Sequence, residues 1–192
     1  MVNQIINFNF FRSAKNTFKK EIDSISKIPL ELNSKNYNKF CQEILSNNGN
    51  LFLMGIGKSG NIAEKICSTL SSTGTPAIYI NAAEASHGDL GMLTKKDLLI
   101  VFSFSGETEE ILKILPSCKK KVKNILSVTG NKKSTLSNNS KISITLKIDE
   151  EACPMDLAPT TSSTSMLLLG DAIAISLLEA KNFSPKDFAE NH

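Results

Sequence analysis

The sequence predicts an α/β fold: a three-layer sandwich in which a five-stranded parallel sheet is covered by helices on both faces, with extra helices ahead of it. Three observations carry this. Short apolar runs of strand length recur along the chain. Segments of helical period separate most of them. Several runs end directly in Gly, Ser or Thr, the residues that turn a strand into a helix. Strands alternating with helices favour a parallel sheet with helical layers.

The elements follow in order. Residues 1–48 read as helical and polar, broken near Pro29 and at Asn33-Ser34. Ile5, Phe8 and Phe11, with Phe18 further along, mark an amphipathic first helix. Asn50 to Met54 is a buried strand ending at Gly55, and Ser59 to Ser72 a helix stopped by Gly74. Pro76 to Ile80 and Asp97 to Phe102 are the second and third strands. A helix from Glu107 is expected to end at Pro116, where the backbone loses a donor. Asn124 to Val128 is the fourth strand. Ile142 to Ile148 alternates and reads as an edge strand. A long apolar helix covers Thr161 to Lys181, and a short one Pro185 to Asn191. No internal repeat or linker divides the chain, which predicts one domain over residues 1–192. Segment 1–48 is expected to pack on the sheet or on a partner subunit.

Composition narrows the function. The 192 residues are 41% hydrophobic and 21% charged, with a net charge of +3. That balance is too small to argue for nucleic acid or an anionic membrane. The basic run Lys119, Lys120, Lys121 and Lys123 has no interleaved aromatics to stack bases and reads as a solvated helix end. No apolar stretch is expected to reach the length of a membrane span, and Met1 to Phe11 lacks the charged leader and cleavage site of a secretory signal. Cys41, Cys67, Cys118 and Cys153 form no CxxC pair and match no zinc spacing, so reduced thiols in a cytoplasmic protein are expected.

In such a sheet, ligands bind beyond the carboxyl ends of the strands. Gly55-Ile-Gly-Lys-Ser-Gly60 follows the first strand, and its glycines let backbone amides approach an anion at a helix N-terminus. Lys58 and Ser59 resemble part of a P-loop, but that motif needs a glycine where Phe52 stands. Ser103-Phe-Ser-Gly-Glu-Thr108 follows the third strand, its hydroxyls and amides opening a helix as a phosphate site does. No nucleophile elbow is present. After the second strand, His87 stands with Glu84, Ser86 and Asp89. After the fifth come the acidic triplet Asp149-Glu150-Glu151, a source of an acid or base, then Cys153 and five hydroxyls at Thr160 to Thr164.

Together these loops resemble the sugar isomerase (SIS) domain, a doubly wound, flavodoxin-like fold. Ser103-Phe-Ser-Gly-Glu-Thr is its strongest generic signature. Ala83-Glu-Ala-Ser-His-Gly-Asp-Leu-Gly-Met92 and Glu151-Ala-Cys-Pro-Met-Asp-Leu-Ala-Pro-Thr160 are more specific and resemble D-arabinose-5-phosphate isomerases. So do Gly55 to Gly60, Thr73-Gly-Thr-Pro76 and Asp187-Phe-Ala-Glu-Asn-His192. The resemblance implies an aldose–ketose isomerase for D-ribulose 5-phosphate and D-arabinose 5-phosphate, on the way to the Kdo sugar of lipopolysaccharide or to capsule. It implies catalytic roles for Lys58, Glu110, Glu151 and His192. It implies substrate contacts at Ser59, Thr75, His87, Ser103, Ser105 and Thr108. It further implies a homotetramer whose sites are shared between subunits, with His192 donated by a neighbour. No cofactor is needed for this chemistry.

Three departures stand out. The CBS pair common in the family does not follow His192, so a stand-alone or truncated form is expected. Asn81-Ala82 replaces a histidine-proline whose histidine is associated with zinc, and no metal ligand is assigned. Met155-Asp156 replaces the more usual Leu-Gly or Leu-Asn. Two alternatives remain at this point: another SIS isomerase of the 6-phospho-3-hexuloisomerase type, and a non-catalytic sugar-phosphate sensor.

Overall fold

The computed structural model describes residues 8–190. Three helices come first: α1 (Phe10–Ile25), α2 (Ile28–Glu31) and α3 (Ser34–Leu45). Side chains cap two of them: Asn9 Oδ1 accepts from Arg12 N (2.8 Å) and Asn33 Oδ1 from Asn36 N (2.9 Å). The sheet then alternates with helices: β1 (Leu51–Gly55), α4 (Gly57–Ser72), β2 (Ala77–Asn81), α5 (Ala82–Ala85), a 3-10 turn (Asp89–Met92), β3 (Leu98–Phe102), α6 (Glu109–Lys121), β4 (Asn124–Thr129), α7 (Thr135–Asn138) and β5 (Ile142–Thr145). The long α8 (Thr161–Ala180) and the short α9 (Pro185–Glu190) close the chain.

All five strands are parallel in the order β2-β1-β3-β4-β5. Strand alternation splits the core into two layers. Leu51, Leu53, Leu98, Ile100 and Phe102 meet α3, α4 and α8 on one face. Phe52, Met54, Leu99 and Val101 meet α5, α6 and α7 on the other. Burial on both faces explains why β1 and β3 are apolar at every position. The α4–α8 contact is close: a Cβ on Gly170 would lie 2.3 Å from Ile66, so only glycine lets these helices approach. The Lys65–Asp171 ion pair (2.5 Å) bridges the same two helices. At the opposite end of the sheet from the strand carboxyl ends, the buried Asp97 accepts from Asn50 N (2.7 Å) and Thr94 N (2.6 Å), tying β1 to β3.

The structure corrects three expectations. α6 does not end at Pro116 but runs through it to Lys121. Pro116 is on the exposed side, where water can take the freed Leu112 carbonyl, and Ile111, Ile114, Leu115 and Cys118 bury both halves of the helix. β5 stops at Thr145 rather than Ile148, although it is an edge strand as predicted. α8 is long and apolar enough to span a membrane by length and composition, with a mean hydropathy of 1.4. Its apolar side instead packs on the sheet, and half of the span is buried. α1 is amphipathic, and Phe8, Phe11 and Phe18 are exposed, 53% to 69%. Ile5 lies outside the described residues.

Candidate functional site

The strand order reverses between β1 and β3, which opens a crevice at their carboxyl ends. Two loops meet there, one before α4 and one before α6.

The α6 loop is the more completely built. Ser103, buried, shares a 2.8 Å hydrogen bond between its Oγ and Thr108 Oγ1. Gly106 N donates to Ser103 Oγ (3.1 Å), and Glu107 N donates to Ser105 Oγ (3.1 Å). The loop is latched from behind by α7: Leu136 N donates to the Gly106 carbonyl (3.1 Å) and Thr135 N to Glu107 Oε1 (2.6 Å). Gly106 has a φ of 67°, and a Cβ there would lie 2.2 Å from Ser134 Oγ, so both conformation and space demand glycine. No side chain caps the N-terminus of α6, nor that of α4, which begins at Gly57. Both helix ends therefore present first-turn amides and dipole to a ligand. Lys58 and the half-buried Ser59 stand in the first turn of α4, and the exposed Glu110 in the first turn of α6. A cavity of about 410 Å³ lined by Gly57, Lys58, Asn61, Tyr79 and Asn81 opens beyond β1 and β2. Two larger grooves of about 730 and about 600 Å³ run along the β5 edge and contain none of the predicted residues. Their walls come from α3 and β5, whereas the smaller cavity contains Lys58.

The loop before α8 is organised differently. Glu151 Oε2 accepts from Thr160 N (2.8 Å), Thr160 Oγ1 (3.1 Å) and Ser162 N (3.1 Å). Thr160 Oγ1 in turn accepts from Ala152 N (2.9 Å). A carboxylate of the chain thus fills the N-terminus of α8. Burial pushes the Glu151 carboxyl up, but the bonds from Ser162 and Thr160 outweigh it and hold the group below the usual glutamate range. The preceding acids are tied to α1 and its end, Glu150 to Lys20 (2.7 Å) and Asp149 to Lys27. Thr164 Oγ1 donates to Glu21 of α1 (3.2 Å). α8 lies against α4, so Glu151 comes to the same end of the molecule as Lys58. Four backbone amides, Ala158 first, then Met155, Leu157 and Asp156, lower the Cys153 pKa, whereas burial pushes Cys67 up to about 12 and Cys118 to about 11.

The structure thus brings Lys58, Ser59, Ser103, Ser105, Thr108, Glu110 and Glu151 to one end of the sheet. His87 is exposed after α5, its N–H bonded to the Glu84 carbonyl (2.8 Å), in the segment that follows β2. Thr75 is the exception. It is buried just before β2, at the far end of the strand from the crevice, and its Oγ1 accepts from Lys181 Nζ (2.8 Å). Within one chain Thr75 therefore stands apart from the crevice, tied to the end of α8. His192 lies outside the described residues. Asn81 turns its Oδ1 back to Ala83 N (2.9 Å), capping α5. Among the described residues no group of three or more His, Cys, Asp or Glu could hold a metal. Sequence reasoning missed Glu107 and Asp156 as parts of the site's frame. Thr160 carried a signal as the first of five hydroxyls ahead of the long helix, and Asp156 as a departure from the family pattern.

The SIS domain model matches residues 44–176. The arabinose 5-phosphate isomerase KdsD of Francisella tularensis is 47% identical over 183 residues, which cover 94% of this chain and 56% of that protein. The enzyme of the same name from Pseudomonas aeruginosa is 41% identical over 191 residues, 100% of this chain and 58% of that one. The chain thus spans little more than half the length of these curated relatives. Among solved structures, c3406 of Escherichia coli CFT073 in complex with arabinose 5-phosphate superposes with a TM-score of 0.92 at 36% identity, over 97% of this chain and 98% of that one. The uncapped helix ends, the hydroxyl loop and these matches agree: the chain belongs to the SIS domain family.

Proposed function

We propose that the chain isomerises a sugar phosphate, interconverting D-ribulose 5-phosphate and D-arabinose 5-phosphate. The observation that carries this is the pairing of uncapped, hydroxyl-lined helix ends with Lys58, Glu110 and Glu151 around one crevice. Its relatives named arabinose 5-phosphate isomerase and the arabinose 5-phosphate complex of a similar fold support the choice of sugar.

Isomerisation moves one proton between carbon 1 and carbon 2 through an enediolate, and one between their oxygens. Nothing is oxidised or reduced overall. Ser103, Ser105 and Thr108, with the α6 amides and Ser59, hold the phosphate far from the reacting carbons and so orient the chain. Lys58 faces the developing enediolate charge, a preorganised contact of the kind that supplies much of the rate. A rim carboxylate, Glu151 or Glu110, takes the carbon proton and returns it. Glu151 is ionised at neutral pH, as a base must be, and its α8 contacts fix the position of its carboxylate. His87 and a neighbour's His192 hold sugar hydroxyls or assist ring opening, within a homotetramer acting in the cytoplasm. The product feeds lipopolysaccharide or capsule synthesis.

Incubation with ribulose 5-phosphate should yield arabinose 5-phosphate, followed by resolving the two pentoses. No conversion by the folded protein would refute the proposal. Replacing Glu151 and Glu110 singly by Gln and measuring solvent deuterium at carbon 2 separates the two carboxylates, since the variant that keeps full exchange has lost no base. Mixing inactive Lys58→Ala and His192→Ala proteins should restore activity if sites are shared.

A further inference from the structure

Residues 151–156 form a closed bracket immediately ahead of α8. Asp156 is one of two non-glycine residues among those described with a left-handed backbone, φ 54°. Its N–H donates to the Cys153 carbonyl (2.9 Å), and its Oδ1 accepts from Glu151 N (2.7 Å). The Glu151 side chain is held separately, by Thr160 and Ser162 at the start of α8. The residue whose carboxylate stands at the rim is therefore fixed at two points, and Asp156 supplies the backbone one.

Gly adopts the left-handed conformation freely and Asn or Asp tolerates it. Gly could not make the bond to Glu151 N, and a carboxylate makes it more strongly than an amide. We propose that Asp156 is a positioning residue, whose carboxylate fixes the Glu151 main chain and so holds the Glu151 carboxylate at the substrate rim. This rests on the reading that Glu151 meets the substrate.

The test compares two variants in the full chain. Asp156→Asn keeps an acceptor and the backbone conformation but loses the charge. Asp156→Gly keeps the backbone conformation and loses the acceptor. Because Asp156 is exposed, both should fold, which thermal unfolding checks. With ribulose 5-phosphate, Asp156→Gly should lower kcat about tenfold. Its KM should stay near wild type, because the phosphate loop is elsewhere. Asp156→Asn should keep most of the wild-type rate. The second readout is the titration of the Glu151 carboxyl, by NMR of carbon-13-labelled glutamate. Charged groups around it are Asp149, Glu150 and Asp156 in the loop, Lys20 and Glu21 from α1, and Lys27 just ahead of α2. Loss of the Asp156 charge affects both variants alike, so their difference reports the lost bond. Glu151 should titrate closer to an ordinary glutamate in Asp156→Gly than in Asp156→Asn. Equal titration in the two variants would overturn the positioning role, whether or not the enzyme turns over. So would a wild-type kcat in Asp156→Gly. Absence of wild-type turnover with a normal titration difference would instead count against the isomerase reading alone.

Discussion

The N-termini of α6 and α8 point to the same end of the molecule and are rich in the same residue types, yet they are used in opposite ways. α6 opens after Ser103 to Thr108 with no side-chain cap, its hydroxyls bonded among themselves and to loop amides. α8 opens after Thr160 with its amides already bonded to Glu151. A helix end is an anion site only while it is vacant. The same physics that makes α6 receptive to a substrate phosphate makes α8 a mount for the chain's own carboxylate. Hydroxyl content alone does not separate the two.

The largest expected effect comes from closing the receptive end. Gly106→Val adds a β-branched side chain where φ is positive and Ser134 leaves no space. It should cost about 3 kcal/mol in urea unfolding and abolish sugar-phosphate binding by calorimetry. Retained binding would place the phosphate elsewhere. Next, Lys58→Ala removes the one cation in the first turn of α4 and should lower kcat/KM at least about a hundredfold. It should leave the unfolding midpoint close to wild type, because Lys58 is exposed.

The filled end is tested by pH. Glu151 is held below the ordinary glutamate value of 4.5, so its ionised form stabilises the fold fully above that value. The contribution is lost as pH falls through the lower folded value. Glu151→Gln should therefore be about 1 kcal/mol less stable near neutrality, and the gap should close on acidification below 4.5. A gap that widens in acid would mean that Glu151 is not held as the carboxylate. The smallest effect is Ser105→Ala, which loses the bond to Glu107 N and one of several hydroxyls around the phosphate and should weaken sugar-phosphate affinity about threefold.

The sequence made the receptive end legible because its signals are local: a strand run, then hydroxyls and glycine within six residues. The sheet was legible for the same reason, since apolar runs buried on both faces need no partner to be recognised. What stayed hidden depends on distant partners. Residue type left Glu151 as one of three acids, and although the family resemblance named it, only its bonds to Thr160 and Ser162 show how it is held. Thr75 stood in a family-like motif, but the chain path puts it behind the sheet with Lys181. Pro116 reads as a stop, and tertiary burial on both sides of it carries α6 through. α5 and α7 have four residues each, too short for a helical period to register.

The most direct measurement of the contrast is a nitrogen-15 NMR titration of the backbone amides with inorganic phosphate, which has no sugar to reach the rim. The amides of residues 105–111 should shift in a saturable way, while those of Thr160 and Ser162, already bonded to Glu151, should not. Saturable shifts at Thr160 and Ser162 with none at 105–111 would contradict the account.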